Sequence, residues 1–233
     1  MTFMSVYLAV DSATVFCSVS VIKNNQCFAQ SKDMGRNHSK QMLNMVDDVL
    51  LEANVVLSDI EHFCYVRGPG SFTGVRIAAS FLHGLAFGQD KDVIGISSLL
   101  TMAYEAKQTH SEHNHFLVAL DARMDEVYFA AVDFSKPDWA SNLIEQVIAP
   151  EQVKWDSSYA NAKRIGDGWQ YLERFDDLFA SITLLECANK PNAQFCAKLV
   201  KDCRQNNIEF THEAYPVYLR DDVTWKQKPK VGS

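Results

Sequence analysis

Several features that mark common classes of protein are missing from this chain of 233 residues. Residues 1–7 contain no Lys or Arg, and the apolar runs are far shorter than a membrane span, so we expect neither a signal peptide nor a transmembrane helix. None of the 6 cysteines belongs to a C-x-x-C pair, which argues against a zinc site or a disulfide framework. The sequence therefore predicts a cytoplasmic protein with buried thiols in a reducing compartment.

Positive charge is also scarce. The chain has 22 Lys and Arg residues against 29 Asp and Glu residues, a net charge of −7. Affinity for the phosphate backbone of nucleic acids depends mainly on Lys and Arg, so an acidic chain is a poor binder of RNA on its own. If the protein serves RNA biology, we expect it to reach the RNA only indirectly, through another protein.

Familiar catalytic motifs are absent. The glycine-rich segment 68–76 is not followed by Gly-Lys-Ser/Thr, and its third glycine comes one residue too late for G-x-G-x-x-G. No G-x-S-x-G elbow occurs, and the histidines in 110–115 lack the H-E-x-x-H spacing of a zinc peptidase. We therefore predict no catalytic residues and no metal site.

The first half of the sequence predicts the element order βββαβαβα. Alternating or continuous apolar runs predict strands, and apolar residues three and four apart predict helices. The predicted strands are 3–10, 15–22, 26–31, 60–66 and 93–96, and the predicted helices are 38–53, 71–88 and 98–108. The Lys23-Asn24-Asn25 turn between the second and third strands indicates a hairpin.

After a polar stretch at 108–114 the pattern starts again. Strands are predicted at 116–121, 125–134 and 143–149, with weaker signals at 163–166 and 182–185 and helices near 169–175 and at 192–205. Leu8–Asp11 aligns with Val118–Asp121, which indicates an internal duplication, although any strand–Asp–turn–strand hairpin would look similar.

The predicted fold class is therefore α/β, with two tandem ribonuclease-H-like βββαβαβα lobes and a reduced second lobe. This is the layout of the actin-like ATPase fold, which by itself assigns no function. We expect an N-terminal lobe at 1–108, a smaller lobe at 109–210 and a C-terminal segment, 211–233, that packs back on the first lobe.

In that fold, one hairpin loop of each lobe would face the phosphates of a nucleotide. Asp11, Ser12 and Thr14 in the first loop could contribute a residual contact to Mg²⁺ or phosphate, or Asp11 could simply stabilise a turn. The second loop, 121–125, has no glycine to let backbone amides approach an anion. The second half of a nucleotide site thus looks degraded.

The most distinctive turn joins a strand to a helix. It comprises Gly68, Pro69, Gly70, Ser71, Phe72, Thr73, Gly74 and Arg76. Ser71 or Thr73 could cap the following helix. A rigid turn that places the helix is favoured over a phosphate-binding loop, although a helix N-terminus can bind anions.

The helix at 71–88 is apolar around most of its circumference, and the helix at 38–53 has a wide apolar arc. We predict that the two helices form a four-helix contact with the same pair from another molecule, either a second copy or a paralogue; cover within the chain is the alternative. The predicted interface residues are Met42, Met45, Val46, Val49, Leu50, Val75, Ala78, Ala79, Leu82 and Ala86.

Five segments together resemble the TsaB (YeaZ) family. They are Leu8–Thr14, His38-Ser39, Gly68–Ile77, Ala119–Tyr128 and Pro216–Asp221, and they span nearly the whole chain. The resemblance implies a role in forming N6-threonylcarbamoyladenosine next to the anticodon of tRNAs that read codons starting with A. It also implies relationship to TsaD and the glycoprotease-like group.

The same resemblance implies a non-catalytic scaffold subunit. Its partners would be a catalytic TsaD-like paralogue, bound through the first two helices, and a TsaE-like ATPase, while the isolated chain would form a homodimer. No cofactor would bind tightly, and ATP or ADP with Mg²⁺ would appear only in the complex. The alternative is an active nucleotide-binding enzyme or a metallopeptidase of the same fold.

Overall fold

The computed structural model describes residues 5–33 and 38–220, which form two β-sheets joined by helices. The strands are β1 (Tyr7–Asp11), β2 (Phe16–Lys23), β3 (Gln26–Asp33), β4 (His62–Gly68), β5 (Val93–Ser97), β6 (His115–Arg123), β7 (Glu126–Asp133), β8 (Gln146–Ile148) and β9 (Lys163–Ile165). The α-helices are α1 (His38–Glu52), α2 (Phe72–Phe87), α3 (Ser98–Thr109) and α4 (Ala193–Gln205). Short 3-10 helices lie at Leu57–Asp59, Pro150–Gln152, Ser157–Asn161, Asp167–Arg174 and Asp177–Ser181.

The first lobe has the predicted βββαβαβα order. Its five-stranded sheet runs β3-β2-β1-β4-β5, in which β1, β2 and β3 form an antiparallel meander and β4 and β5 lie parallel to β1. Asn24 and Asn25 join β2 to β3 with φ of 51° and 67°, the left-handed backbone of a tight hairpin turn. All of β1 is buried, which places this strand at the centre of the larger core.

The second lobe is smaller, as predicted. Its four-stranded sheet runs β8-β7-β6-β9, and α3 packs on the face that carries Phe116 and Val118. The opposite face is covered by the 3-10 helices and an aromatic cluster in which the Trp169 ring lies 4.5 Å from Phe175 and 5.7 Å from Phe179. The predicted helix near 169–175 is therefore wrong in type, because this segment is a 3-10 helix.

One domain boundary needs correction. We assigned 192–205 to the second lobe, but α4 packs against β1, β2 and β4 of the first sheet. Its buried arc of Cys196, Ala197, Leu199, Val200 and Cys203 supplies the apolar surface for that contact. The backbone amide of Ala193 donates a hydrogen bond to Ser18 Oγ at 2.9 Å, which holds the start of the helix on β2. The chain thus returns to the first lobe at α4 rather than at residue 211.

Candidate functional site

The carboxyl ends of the parallel strands β1, β4 and β5 lie at one edge of the first sheet. Ligands of open α/β sheets usually bind at this edge. Three features lie here: the loop after Asp11, the turn after Gly68 and the start of α3. This is also where the sequence places a residual nucleotide contact, so the geometry of each feature bears on that prediction.

The loop after β1 is packed tightly against the glycine-rich turn. Ser12 Oγ donates to the carbonyl of Gly74 at 2.7 Å, and the Ser71 amide donates to the carbonyl of Ala13 at 2.6 Å. A Cβ added at Gly74 would overlap the Ser12 carbonyl oxygen, and one added at Gly70 would overlap that of Ala13. These glycines therefore allow two backbone segments to touch, and they leave no gap for a phosphate group.

The turn itself sets the direction of α2. Gly68 has φ of +101°, a conformation that favours glycine, and the Gly68–Pro69 peptide bond is cis. Ser71 is the N-cap of α2, because its Oγ accepts a hydrogen bond from the Gly74 amide at 3.2 Å. Thr73, the other predicted cap, is an exposed residue inside the helix.

Asp11 is fully buried at the end of β1. Its Oδ1 accepts a hydrogen bond from the Ala13 amide at 2.8 Å, whereas its Oδ2 is buried and has no hydrogen-bond partner among the described residues. Burial raises the pKa of this carboxyl from 3.8 to about 7. The Ser12 hydroxyl is occupied, and Thr14 Oγ1 accepts from the Phe16 amide at 3.3 Å. None of the three predicted residues is arranged to hold a phosphate.

The second loop also lacks a phosphate cradle. Arg123, Met124 and Asp125 all have positive φ, between 55° and 63°, although none is glycine. Arg220 reaches them from the C-terminal segment, donating to Met124 Sδ at 3.0 Å and forming an ion pair with Glu126. Met124 is 54% exposed at the tip of this loop. The two hairpin loops, 11–15 and 121–125, therefore show no glycine-lined backbone cradle for a phosphate.

The predicted interface residues lie in the core instead of on the surface. All ten side chains are no more than 9% exposed, because α1 and α2 turn their most apolar arcs toward the first sheet. The prediction of these particular side chains as a partner surface is wrong for the folded chain. They are Met42, Met45, Val46, Val49, Leu50, Val75, Ala78, Ala79, Leu82 and Ala86.

The opposite faces of the same helices still expose large apolar side chains. Leu43 and Leu51 of α1 are 47% and 81% exposed, and Phe72 and Phe87 of α2 are 43% and 88% exposed. A hollow of about 520 Å³ lies along α2, lined by Phe72, Thr73, Arg76, Ile77, Ser80 and Phe81. We call this outer side of α1 and α2 the helical face.

The segment Glu213–Arg220 extends that face. Glu213 bridges to Gly95 of β5, and the Val217 amide donates to the carbonyl of Arg67 at 3.0 Å. Tyr218 packs 5.1 Å from the Phe72 ring, and its hydroxyl accepts a hydrogen bond from Arg76 Nε at 2.8 Å. Tyr218 belongs to the C-terminal motif Pro216–Asp221, but no local sequence pattern marks it as part of this surface.

Three further observations concern possible metal ligands, the cysteines and membrane-spanning helices. Within residues 5–33 and 38–220, no group of three His, Cys, Asp or Glu side chains is placed to hold a metal ion. All six cysteines are free thiols, and Cys17, Cys64, Cys196 and Cys203 are buried. No helix in this part of the chain is both long and apolar enough to cross a membrane.

Comparison with known proteins gives consistent matches over most of the chain. A family model described as TsaD, tRNA N6-adenosine threonylcarbamoyltransferase, matches residues 26–225. The tRNA threonylcarbamoyladenosine biosynthesis protein TsaB of Haemophilus influenzae is 37% identical, covering 95% of this chain and 96% of that protein. The TsaB protein of Escherichia coli strain K12 is 34% identical, covering 95% of this chain and 97% of that protein.

A solved structure also matches the chain. YeaZ from Pseudomonas aeruginosa superposes with a TM-score of 0.79 at 32% identity, covering 93% of this chain and 100% of that one. Both the sequence and the fold are therefore matched along nearly their full lengths, including the reduced second lobe. The chain belongs to the TsaD-type family and, within it, to the TsaB (YeaZ) proteins.

Proposed function

We propose that this chain is a non-catalytic subunit of the assembly that forms threonylcarbamoyladenosine in tRNA, and that it binds and activates a TsaD-like enzyme. The names of its relatives support the pathway. The single observation that carries the non-catalytic role is the close packing of the Asp11 loop on the glycine-rich turn. This packing leaves no phosphate cradle in the first hairpin loop, which supports placing the catalytic chemistry in a partner.

The helical face is our proposed binding surface for that partner. It combines exposed Phe72, Tyr218 and Arg76, and aromatic and Arg side chains dominate the binding energy of many interfaces. Arg76 is held in place because its guanidinium lies 3.7 Å above the Phe72 ring while its Nε donates to Tyr218. A partner would therefore meet a preorganised group rather than a mobile side chain. In the absence of the enzyme, a second copy would cover the same face, and a TsaE-like ATPase would join the assembled pair.

The test is a double substitution on this face, Phe72→Asp with Ser80→Arg. Both residues line the hollow and both are exposed, so the variant should fold normally. Light scattering after gel filtration would measure the mass of the chain alone and mixed with the TsaD-like enzyme. We expect the wild type to pair, and the variant to remain a folded monomer that neither binds the enzyme nor supports transfer of the threonylcarbamoyl group to tRNA.

Leu178→Asp is the matched control, because Leu178 is 49% exposed on a 3-10 helix of the second lobe. It should bind and activate like wild type. If the helical-face variant still binds and activates the enzyme, the proposed surface is incorrect. If the isolated wild-type chain hydrolyses ATP or a peptide without any partner, the alternative of an active nucleotide-binding enzyme or metallopeptidase replaces the scaffold role.

A further inference from the structure

A buried cluster of polar side chains joins the two lobes. Arg67 lies near the carboxyl end of β4, and Ser97 is the last residue of the neighbouring parallel strand β5. Both contact Glu145, which comes from the second lobe: Ser97 Oγ donates to its Oε1 at 2.5 Å, and Arg67 Nη2 lies 3.3 Å from its Oε2. The Arg67 and Glu145 side chains are each only 7% exposed.

The Glu145 carboxylate also lies at the start of a helix. Ser97 is the N-cap of the twelve-residue helix α3, and its Oγ accepts from the Leu100 amide at 3.1 Å. The N-terminus of a helix carries a partial positive charge that favours an anion. A guanidinium, a hydroxyl and a helix N-terminus therefore converge on one negatively charged group.

Glu145 does not accept a hydrogen bond from every buried donor of these residues. Arg67 Nε and the hydroxyl of Ser98, the first residue of α3, are buried and find no hydrogen-bond partner in the described part of the chain. Buried donors without partners are costly and rare. A carboxylate offers two oxygens, whereas a phosphate offers four in a tetrahedral arrangement. Arg67 Nε and the Ser98 hydroxyl are therefore donors that Glu145 does not satisfy.

We propose that Arg67, Ser97 and the first turn of α3 form a binding site for a phosphate-type oxyanion, and that Glu145 of the same chain occupies it. Its position at the carboxyl ends of two adjacent parallel strands is the usual ligand position of this kind of sheet. Glu145 thus acts as an internal ligand that joins the two lobes and keeps free phosphates out. The site belongs to the isolated chain and needs no partner.

The test is to remove the internal ligand and supply an external one. In Glu145→Ala, Arg67 keeps its buried charge without an acceptor, so inorganic phosphate should bind in place of the missing carboxylate. Isothermal titration calorimetry would measure phosphate affinity, and the thermal midpoint would be followed with increasing phosphate against sodium chloride at equal ionic strength. We expect the variant to bind phosphate at least tenfold more tightly than wild type, with a midpoint that phosphate raises and chloride does not.

The control is the double variant Arg67→Met with Glu145→Ala, which removes the cation as well and should not respond to phosphate. If Glu145→Ala does not fold, Glu145→Ser serves as the second variant and is measured in the same way. The proposal is overturned if the folded single variant binds phosphate no better than wild type. It is equally overturned if the double variant binds phosphate as tightly as the single one.

Discussion

Replacing Asp11 by Asn should make the protein more stable, and increasingly so as the pH rises. The carboxyl is fully buried, one oxygen is hydrogen-bonded to the Ala13 amide, and the other has no partner among the described residues. An ionised carboxylate in this position is shielded from solvent, and no cation among residues 5–33 and 38–220 is paired with it. Asn retains a carbonyl oxygen for the Ala13 amide and carries no charge to bury.

The size of the effect follows from the shift in pKa. Burial raises the pKa of Asp11 from 3.8 to about 7, so the folded protein prefers the protonated form. The resulting loss in the free energy of unfolding is absent below the unfolded-state pKa, grows as the pH rises, and levels off above the folded-state pKa of about 7. At about 1.4 kcal/mol per pKa unit, the cost is roughly 1.7 kcal/mol at pH 5 and roughly 4 kcal/mol at pH 8.

The assay is urea denaturation of wild type and Asp11→Asn at pH 5 and pH 8, which gives the free energy of unfolding of each. The advantage of the variant should be about 2–3 kcal/mol larger at pH 8. Comparing the two pH values cancels any constant cost of placing an amide in the site. Asp92→Asn, which neutralises an exposed carboxylate, controls for net charge. An advantage that is equal at both pH values would refute the reasoning, because it would mean that Asp11 is already ionised at pH 5 in the folded state and that burial does not raise its pKa.

Three further substitutions test local packing and one hydrogen bond. Gly74→Ala should lower the free energy of unfolding by more than about 2 kcal/mol, because the new Cβ would overlap the Ser12 carbonyl. Gly84 lies in the same helix with open space around the position of a Cβ, so Gly84→Ala should raise the free energy of unfolding by about 0.5–1 kcal/mol. Chemical denaturation measures both, and a similar loss in the two variants would contradict the close approach of the loop and the turn. Lys23→Met should cost about 1 kcal/mol by the same assay, because Lys23 Nζ donates to the carbonyl of Ala53 at 3.2 Å just beyond α1; no loss would show that this contact contributes nothing.

The first lobe was predictable because its signals are local. The hairpin after β2 is encoded by two adjacent asparagines that tolerate positive φ, and the apolar periods of α1 and α2 are unambiguous. The second lobe was less predictable. Its 3-10 helices between residues 150 and 181 have no long period, and their stability depends on aromatic packing around Trp169. The placement of α4 on the first sheet is a long-range contact that no local pattern specifies.

The interface residues chosen from the sequence lie on the buried sides of α1 and α2. On α1, the residues Met42 to Leu50 that we chose occupy one continuous arc, and such an arc is what a helix turns toward its own sheet. Leu51, on the opposite side, is 81% exposed and belongs to the surface that we propose for a partner. Glu145, by contrast, could not have been found, because a single glutamate in a loop carries no signal. Its role depends on groups 78 and 48 residues away.

Connections between the two lobes support a scaffold more than an enzyme that clasps its ligand. Enzymes that close around a nucleotide need a hinge across which few contacts are maintained. Here α3 packs on the second sheet and α4 on the first, so the lobes are interleaved. The buried Arg67–Glu145 pair joins them, and Arg220 ties the C-terminal segment to the second hairpin loop. Separating the lobes would expose the charges of that buried pair and strip apolar side chains from both helices. Such cross-connections between the lobes favour a fixed outer surface, which is what the proposed helical docking face requires.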